Sequence, residues 1–108
     1  MQHTDLADGR WHLLSLEEQL ANIGSEIIRA LKWKENGNSV ISQSANLRAL
    51  ELFDLTLTDR CHEKSVKEIA RLRELWMDFY YGENRYRQTA EQWRKYFSAF
   101  TFAARKNA

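Results

Sequence analysis

Three stretches of this chain share one four-residue signature: Ser15-Leu16-Glu17-Glu18, Ser65-Val66-Lys67-Glu68 and Thr89-Ala90-Glu91-Gln92. A hydroxyl followed three residues later by Glu or Gln lets two side chains satisfy orphan amides reciprocally at a helix start. Each such cap contributes about 1 kcal/mol, so its recurrence marks boundaries well. A fourth start falls between Ser39 and Ser42. Stops fall at Asn36-Gly37-Asn38, from Asp59 to His62, and at Gly82. Proline is absent from the 108 residues, so nothing forces a break inside these segments. The punctuation predicts helices over 16–36, 40–59, 66–81 and 90–106.

Apolar spacing agrees with it. Leu16, Leu20, Ile23, Ile27 and Leu31 recur at alternating fours and threes, which is one stripe on a helix. Ile41, Ala45, Ala49, Leu52, Phe53 and Leu57 form a wider face on the second segment. Ile69, Leu72, Trp76, Phe79 and Tyr80 line the third, and Trp93, Tyr96, Phe97, Phe100 and Ala104 the fourth. No stretch of strand length alternates cleanly. Short connections make neighbours antiparallel, so the expected fold is all-α, a four-helix up-down bundle. It forms a single domain over residues 1–108, with an N-terminal arm over 1–14. Leu20, Ile27, Phe53, Trp76 and Phe100 are the expected core. Gly24 lies on the flank of the first stripe, where glycine costs about 1 kcal/mol against alanine unless another helix approaches closely.

A content of 44% hydrophobic and 29% charged residues is that of a soluble globular protein. No apolar run approaches the ~20 residues that span a bilayer. The opening "MQHTDLADGR" lacks the basic and apolar blocks of a secretory signal. The lone Cys61 excludes an intramolecular disulfide framework. A cytoplasmic protein with no membrane association is expected. Charge is unevenly spread: residues 1–62 hold 6 Lys/Arg against 9 Asp/Glu, whereas residues 63–108 hold 10 against 6. The basic end, with Arg85, Arg87, Arg94, Lys95, Arg105 and Lys106, is interleaved with aromatics. That pattern fits either a nucleic-acid or acidic-protein partner or a plain solvated helix face.

Three placements on the helical wheel stand out. Asn22, Glu26, Arg29 and Trp33 share one line opposite the core stripe. Trp33 there either covers a neighbouring segment, such as Trp11 or the N-terminal arm, or meets a partner, which makes this line a second candidate partner surface. Phe102 projects away from Trp93 and Phe100 into a face with Lys95, Arg105, Lys106 and Glu91. An aromatic framed by cations can stack on an unpaired base while the cations hold phosphates; it can equally enter an oligomer interface. Arg73 falls inside its own helix's apolar arc. A buried guanidinium needs a partner, and Glu26, Glu51 and Asp54 are candidates on other helices, so Arg73 is expected to be a structural buried charge.

Signatures of chemistry are missing. His3, His12 and His62 are scattered, and the inward Glu-x-x-His pairs of di-iron bundles do not occur. Cys61-His62 is too little for zinc. No phosphate-binding Gly-rich loop or nucleophile elbow appears, and no paired groups suit general acid–base work. A non-catalytic protein without metal or cofactor is expected.

The run Trp11-His12, Ser15-Leu16, Glu18-Gln19-Leu20, Asn22, Gly24-Ser25-Glu26, Arg29 and Lys32-Trp33, with "RALELFDLTLTD" (48–59) and "YFSAFTFAAR" (96–105), resembles small bacterial helical proteins encoded beside reverse transcriptases. Their gene cassettes include diversity-generating retroelements. The resemblance implies an oligomeric four-helix bundle that engages a reverse transcriptase and RNA. The resulting expectation is a non-catalytic accessory or adaptor protein binding a protein partner, RNA or both, and forming a homo-oligomer. The alternative is a self-associating structural bundle with no nucleic-acid role.

Overall fold

The computed structural model describes residues 10–106, without the side chains of residues 60, 61 and 104–106. Among them are four α-helices and no strand: α1 (Leu16–Glu35), α2 (Ser39–Leu57), α3 (Val66–Tyr80) and α4 (Ala90–Lys106). The expected all-α bundle is therefore present, with boundaries within two residues of those read from the caps.

Two of the three capping boxes form. Glu18 N–H donates to Ser15 Oγ at 3.2 Å and Ser15 N–H to Glu18 Oε1 at 3.0 Å. Gln92 N–H donates to Thr89 Oγ1 at 3.2 Å and Thr89 N–H to Gln92 Oε1 at 2.8 Å. The box at Ser65 does not form. A 3-10 stretch, Arg60–Ser65, runs straight into α3, so Ser65 has ψ near 1° and its hydroxyl makes no capping bond. An extended backbone, as at Ser15, is what aims a capping oxygen at the amides ahead of it. The α1–α2 turn uses Gly37 at φ +79°, and Asn38 caps α2 by accepting from Ile41 N–H at 3.1 Å.

Helix α1 is the hub, packed along its length against both α2 and α4, while α3 docks on α2. The α3 and α4 backbones stand apart, and that side of the bundle closes only through rings such as Trp76 and Trp93, whose centroids are 5.3 Å apart, edge to face. Leu20, Ile27, Phe53 and Trp76 are buried as expected. Phe100 is only half-buried, and Phe97 takes the inner position instead. Gly24 explains the exchange: a Cβ built there would lie 2.6 Å from Phe97 Cβ. The close approach inferred from that glycine is the seating of the Phe97 side chain against α1.

Of the expected arm over 1–14, residues 1–9 lie outside the described residues. Residues Arg10–Leu13 form a 3-10 turn that inserts Trp11 into the core at 0% exposure. Its indole N–H donates to Thr56 Oγ1 at 3.2 Å. The same helix, α2, serves two more aromatics. Trp76 Nε1 donates to Asn46 Oδ1. Ser42 Oγ gives its proton to the Ala30 carbonyl at 2.7 Å, so the Tyr80 hydroxyl, also 2.7 Å away, donates to Ser42.

Replacing Gly24 with Ala is expected to destabilise the protein by about 1–3 kcal/mol through overpacking against Phe97, although the change would favour an isolated helix by ~1 kcal/mol. Denaturant titration checks the sign. A Gly24→Ala variant as stable as the parent would show that α1 and α4 do not approach as described.

Candidate functional site

The expected basic and aromatic surface on α4 is divided by the fold. Phe102 is 70% exposed and Lys95 is exposed on the same outer face, with no ion pair to Lys95 among the described residues. Arg94 lies on the opposite flank, where its guanidinium pairs with Glu35 at the end of α1. A residue one position before Lys95 is turned by about 100°, which carries it toward α1. Arg94 thus belongs to a contact between helices and not to the outer face. The side chains of Arg105 and Lys106 lie outside the described residues.

Arg85 and Arg87 sit in the 82–89 loop at the other end of α4. Asn84 organises that loop, its side chain donating to Gln88 O at 2.8 Å and accepting from Gln88 N–H at 2.9 Å. Asn84 and Arg87 both have φ of 53°, a left-handed conformation that non-glycine residues seldom adopt. The loop displays Arg85 (81% exposed, Nε 3.8 Å from Asp78 Oδ1), Tyr86 and Arg87. Arg71 of α3 lies over the Tyr86 ring at 6.0 Å. Twelve residues of helix separate the start of α4 from Phe102, a rise of roughly 18 Å at 1.5 Å each. Loop and aromatic are therefore two separate surfaces.

The second candidate surface is also interrupted. Asn22 donates to the Glu18 carbonyl at 2.9 Å, and Glu26 is engaged by Arg48 Nε of α2 at 3.0 Å. Arg29 is exposed, and Trp33 is half-buried with Lys32 Nζ 5.5 Å from its ring. Trp33 does not cover Trp11, which is seated at the other end of α1 beside Gln19 and Thr56. Arg73 has its interhelical carboxylate, Asp54 Oδ1 at 3.2 Å, but is not a buried charge: Arg73 is partly exposed and Asp54 largely so. The reason is the position of α3 at the edge of the bundle, where the guanidinium reaches the rim.

A feature outside the sequence reading is the seam left between α3 and α4. Its lower part is a pocket of about 130 Å³ lined by Leu16, Leu20, Ile69, Leu72, Tyr96 and Phe100, with Ser65 and Glu68 at its rim. Its upper part, about 300 Å³, shares Leu72 and Tyr96 and adds Leu75, Trp93, Gln88 and Gln92. The Trp93 indole N–H is buried there with no acceptor among the described residues. Tyr96 is 45% exposed, and burial first, then the nearby Glu68 charge, raises its phenol pKa above the ordinary value. The signal in the sequence was the surplus of apolar residues on α3 and α4: Leu72, Leu75, Tyr96 and Phe100 are more than a closed interface would need.

A polar cluster gathers at the end of α2. Asp59, 2% exposed, accepts from Gln19 Nε2 at 2.8 Å, with His12 Nδ1 at 3.2 Å and His62 Nε2 at 3.5 Å from the same oxygen. Gln19 also donates to the Trp11 carbonyl at 3.0 Å, so the cluster fastens the N-terminal turn to the end of α2. Among the described residues no group of three or more His, Cys, Asp or Glu could hold a metal ion. No described helix is long and apolar enough to cross a membrane. No protein-family model matches the chain, and neither does any curated protein or solved structure.

Because Arg94 is part of a half-exposed ion pair, Arg94→Ala is expected to cost no more than about 1 kcal/mol in a thermal melt and to leave partner binding unchanged. A loss of binding with unaltered stability would return Arg94 to the functional surface.

Proposed function

We propose that this chain is a non-catalytic accessory protein that docks a protein partner along the α3–α4 seam and the adjoining outer face of α4. The observation that carries this reading is an apolar seam, open to solvent, with the exposed ring of Phe102 on the adjoining outer face of α4, about 120° around the helix from Tyr96. Contiguous exposed apolar surface with a polar rim is the usual mark of a protein-binding site, and aromatic anchors dominate such contacts. The electrostatics point the same way. Two of the six cations of the basic end, Arg94 and Arg85, already face carboxylates. The sequence resemblance suggests two kinds of protein partner, a further copy of this chain and a reverse transcriptase.

A second reading, RNA binding, is favoured by the loop that presents Arg85, Tyr86 and Arg87, since an aromatic between arginines can stack on a base. It predicts that Arg85→Ala and Arg87→Ala each flatten the salt dependence of single-stranded RNA binding by about 0.7, the slope of one phosphate contact on a single strand.

Photo-crosslinking from p-benzoylphenylalanine placed at position 102 or 96 distinguishes the two. Protein adducts at these positions, with none from the exposed control positions 40 and 47 on α2, are the expected result. Nucleic-acid adducts in place of protein, or equal adducts at the controls, would contradict the docking reading.

A further inference from the structure

We propose that the lower pocket of the seam receives Phe102 of a second copy of this chain, so that two copies pair along α4 about a two-fold axis. This inference rests on the docking reading above and names the occupant. Size is the first argument. An apolar cavity of about 150 Å³ accepts benzene, and the pocket formed by Leu16, Leu20, Ile69, Leu72, Tyr96 and Phe100 measures about 130 Å³. It is thus suited to one phenyl ring, and Phe102 carries the phenyl ring that this surface leaves 70% exposed.

Placement is the second argument. Phe102 and Tyr96 are six residues apart, so they lie about 120° apart around α4, on opposite edges of a face centred on Ala99. A two-fold axis running along the helix sets each edge of one copy against the opposite edge of the other. Each Phe102 then meets the other copy's seam, and the small exposed Ala99 lets the two helices come close.

Charge is the third. Lys95 lies one heptad before Phe102 on the same edge, while Glu68 stands at the rim of the pocket near Tyr96. Both are exposed, and neither forms an ion pair among the described residues. The same symmetry that seats Phe102 brings Lys95 toward the second copy's Glu68, twice per pair.

Sedimentation equilibrium from micromolar to millimolar protein tests the inference, with helical circular dichroism confirming that each variant is folded. The wild type is expected to dimerise reversibly, and Phe102→Ala to raise the dimer Kd on the order of 30-fold or more, as loss of a central aromatic anchor does. Lys95→Glu and Glu68→Lys should each weaken pairing about three- to tenfold, and the double reversal should restore it. A wild type that stays monomeric, a Phe102→Ala variant that dimerises normally, or a double reversal that fails to recover would each overturn the proposal. Toluene, followed by its effect on the NMR resonances of Leu20, Leu72 and Phe100, separates this failure from that of the broader reading. Shifts in a monomeric protein would overturn self-pairing while leaving a docking pocket for another partner, and no shifts in a monomeric protein would remove both.

Discussion

Everything in this bundle hangs on a row of small polar side chains buried along α2. Ser42, Asn46 and Thr56 follow the same alternation of fours and threes as Ala49 and Phe53, and each takes the polar end of an aromatic residue from elsewhere. Tyr80 and Trp76 fix α3 at two levels, and Trp11 fixes the N-terminal turn at a third. A single bond of this kind is worth only about 0.5–1.5 kcal/mol net, but an indole left unpaired in the core costs about 1–3 kcal/mol. The row therefore acts chiefly by excluding other registers, since sliding α3 by a turn would leave one of Trp76 and Tyr80 without its acceptor. Asn46 meets part of that cost itself, because its amide nitrogen is buried without a partner among the described residues.

Placing α3 by its bonds to α2 has a consequence on the opposite side. Helix α4 is placed by α1, through Phe97 against Gly24 and through Arg94 with Glu35. Since α3 and α4 answer to different neighbours, nothing brings their backbones together. The seam between them is the result, closed at its base by Trp76 and Trp93 and open where Leu72, Leu75, Tyr96 and Phe100 line it. The functional reading follows from this geometry: an apolar seam costs stability in water, and a partner that fills it recovers the loss.

Much of this was legible in the sequence, for reasons that differ by residue. Capping boxes at Ser15 and Thr89 are local chemistry, and local chemistry is what a sequence displays directly. Gly24 signalled a close approach because glycine is costly in a helix without one. What stayed hidden was whatever depends on which helix faces which. Ser42, Asn46 and Thr56 look like solvent positions until the aromatic donors that meet them are known. Trp11 falls within the expected N-terminal arm because the partners that seat it, Gln19, Thr56 and Asp59, lie up to 48 positions away in the chain. The basic end reads as continuous, yet Arg94 and Lys95 are adjacent in sequence and about 100° apart around α4, one against α1 and the other on the outer face.

Exchange of the indole protons with solvent tests the α2 row and the open seam together. The four tryptophans give four separable indole N–H signals, and native-state exchange reports the opening each requires. Trp11 and Trp76, bonded to Thr56 and Asn46, are expected to exchange only through global unfolding. Trp93, buried at the seam without an acceptor, is expected to exchange at least tenfold faster, through separation of α3 from α4, a difference of about 1.4 kcal/mol. Equal protection of Trp93 and Trp76, or rapid exchange of Trp76, would contradict the account.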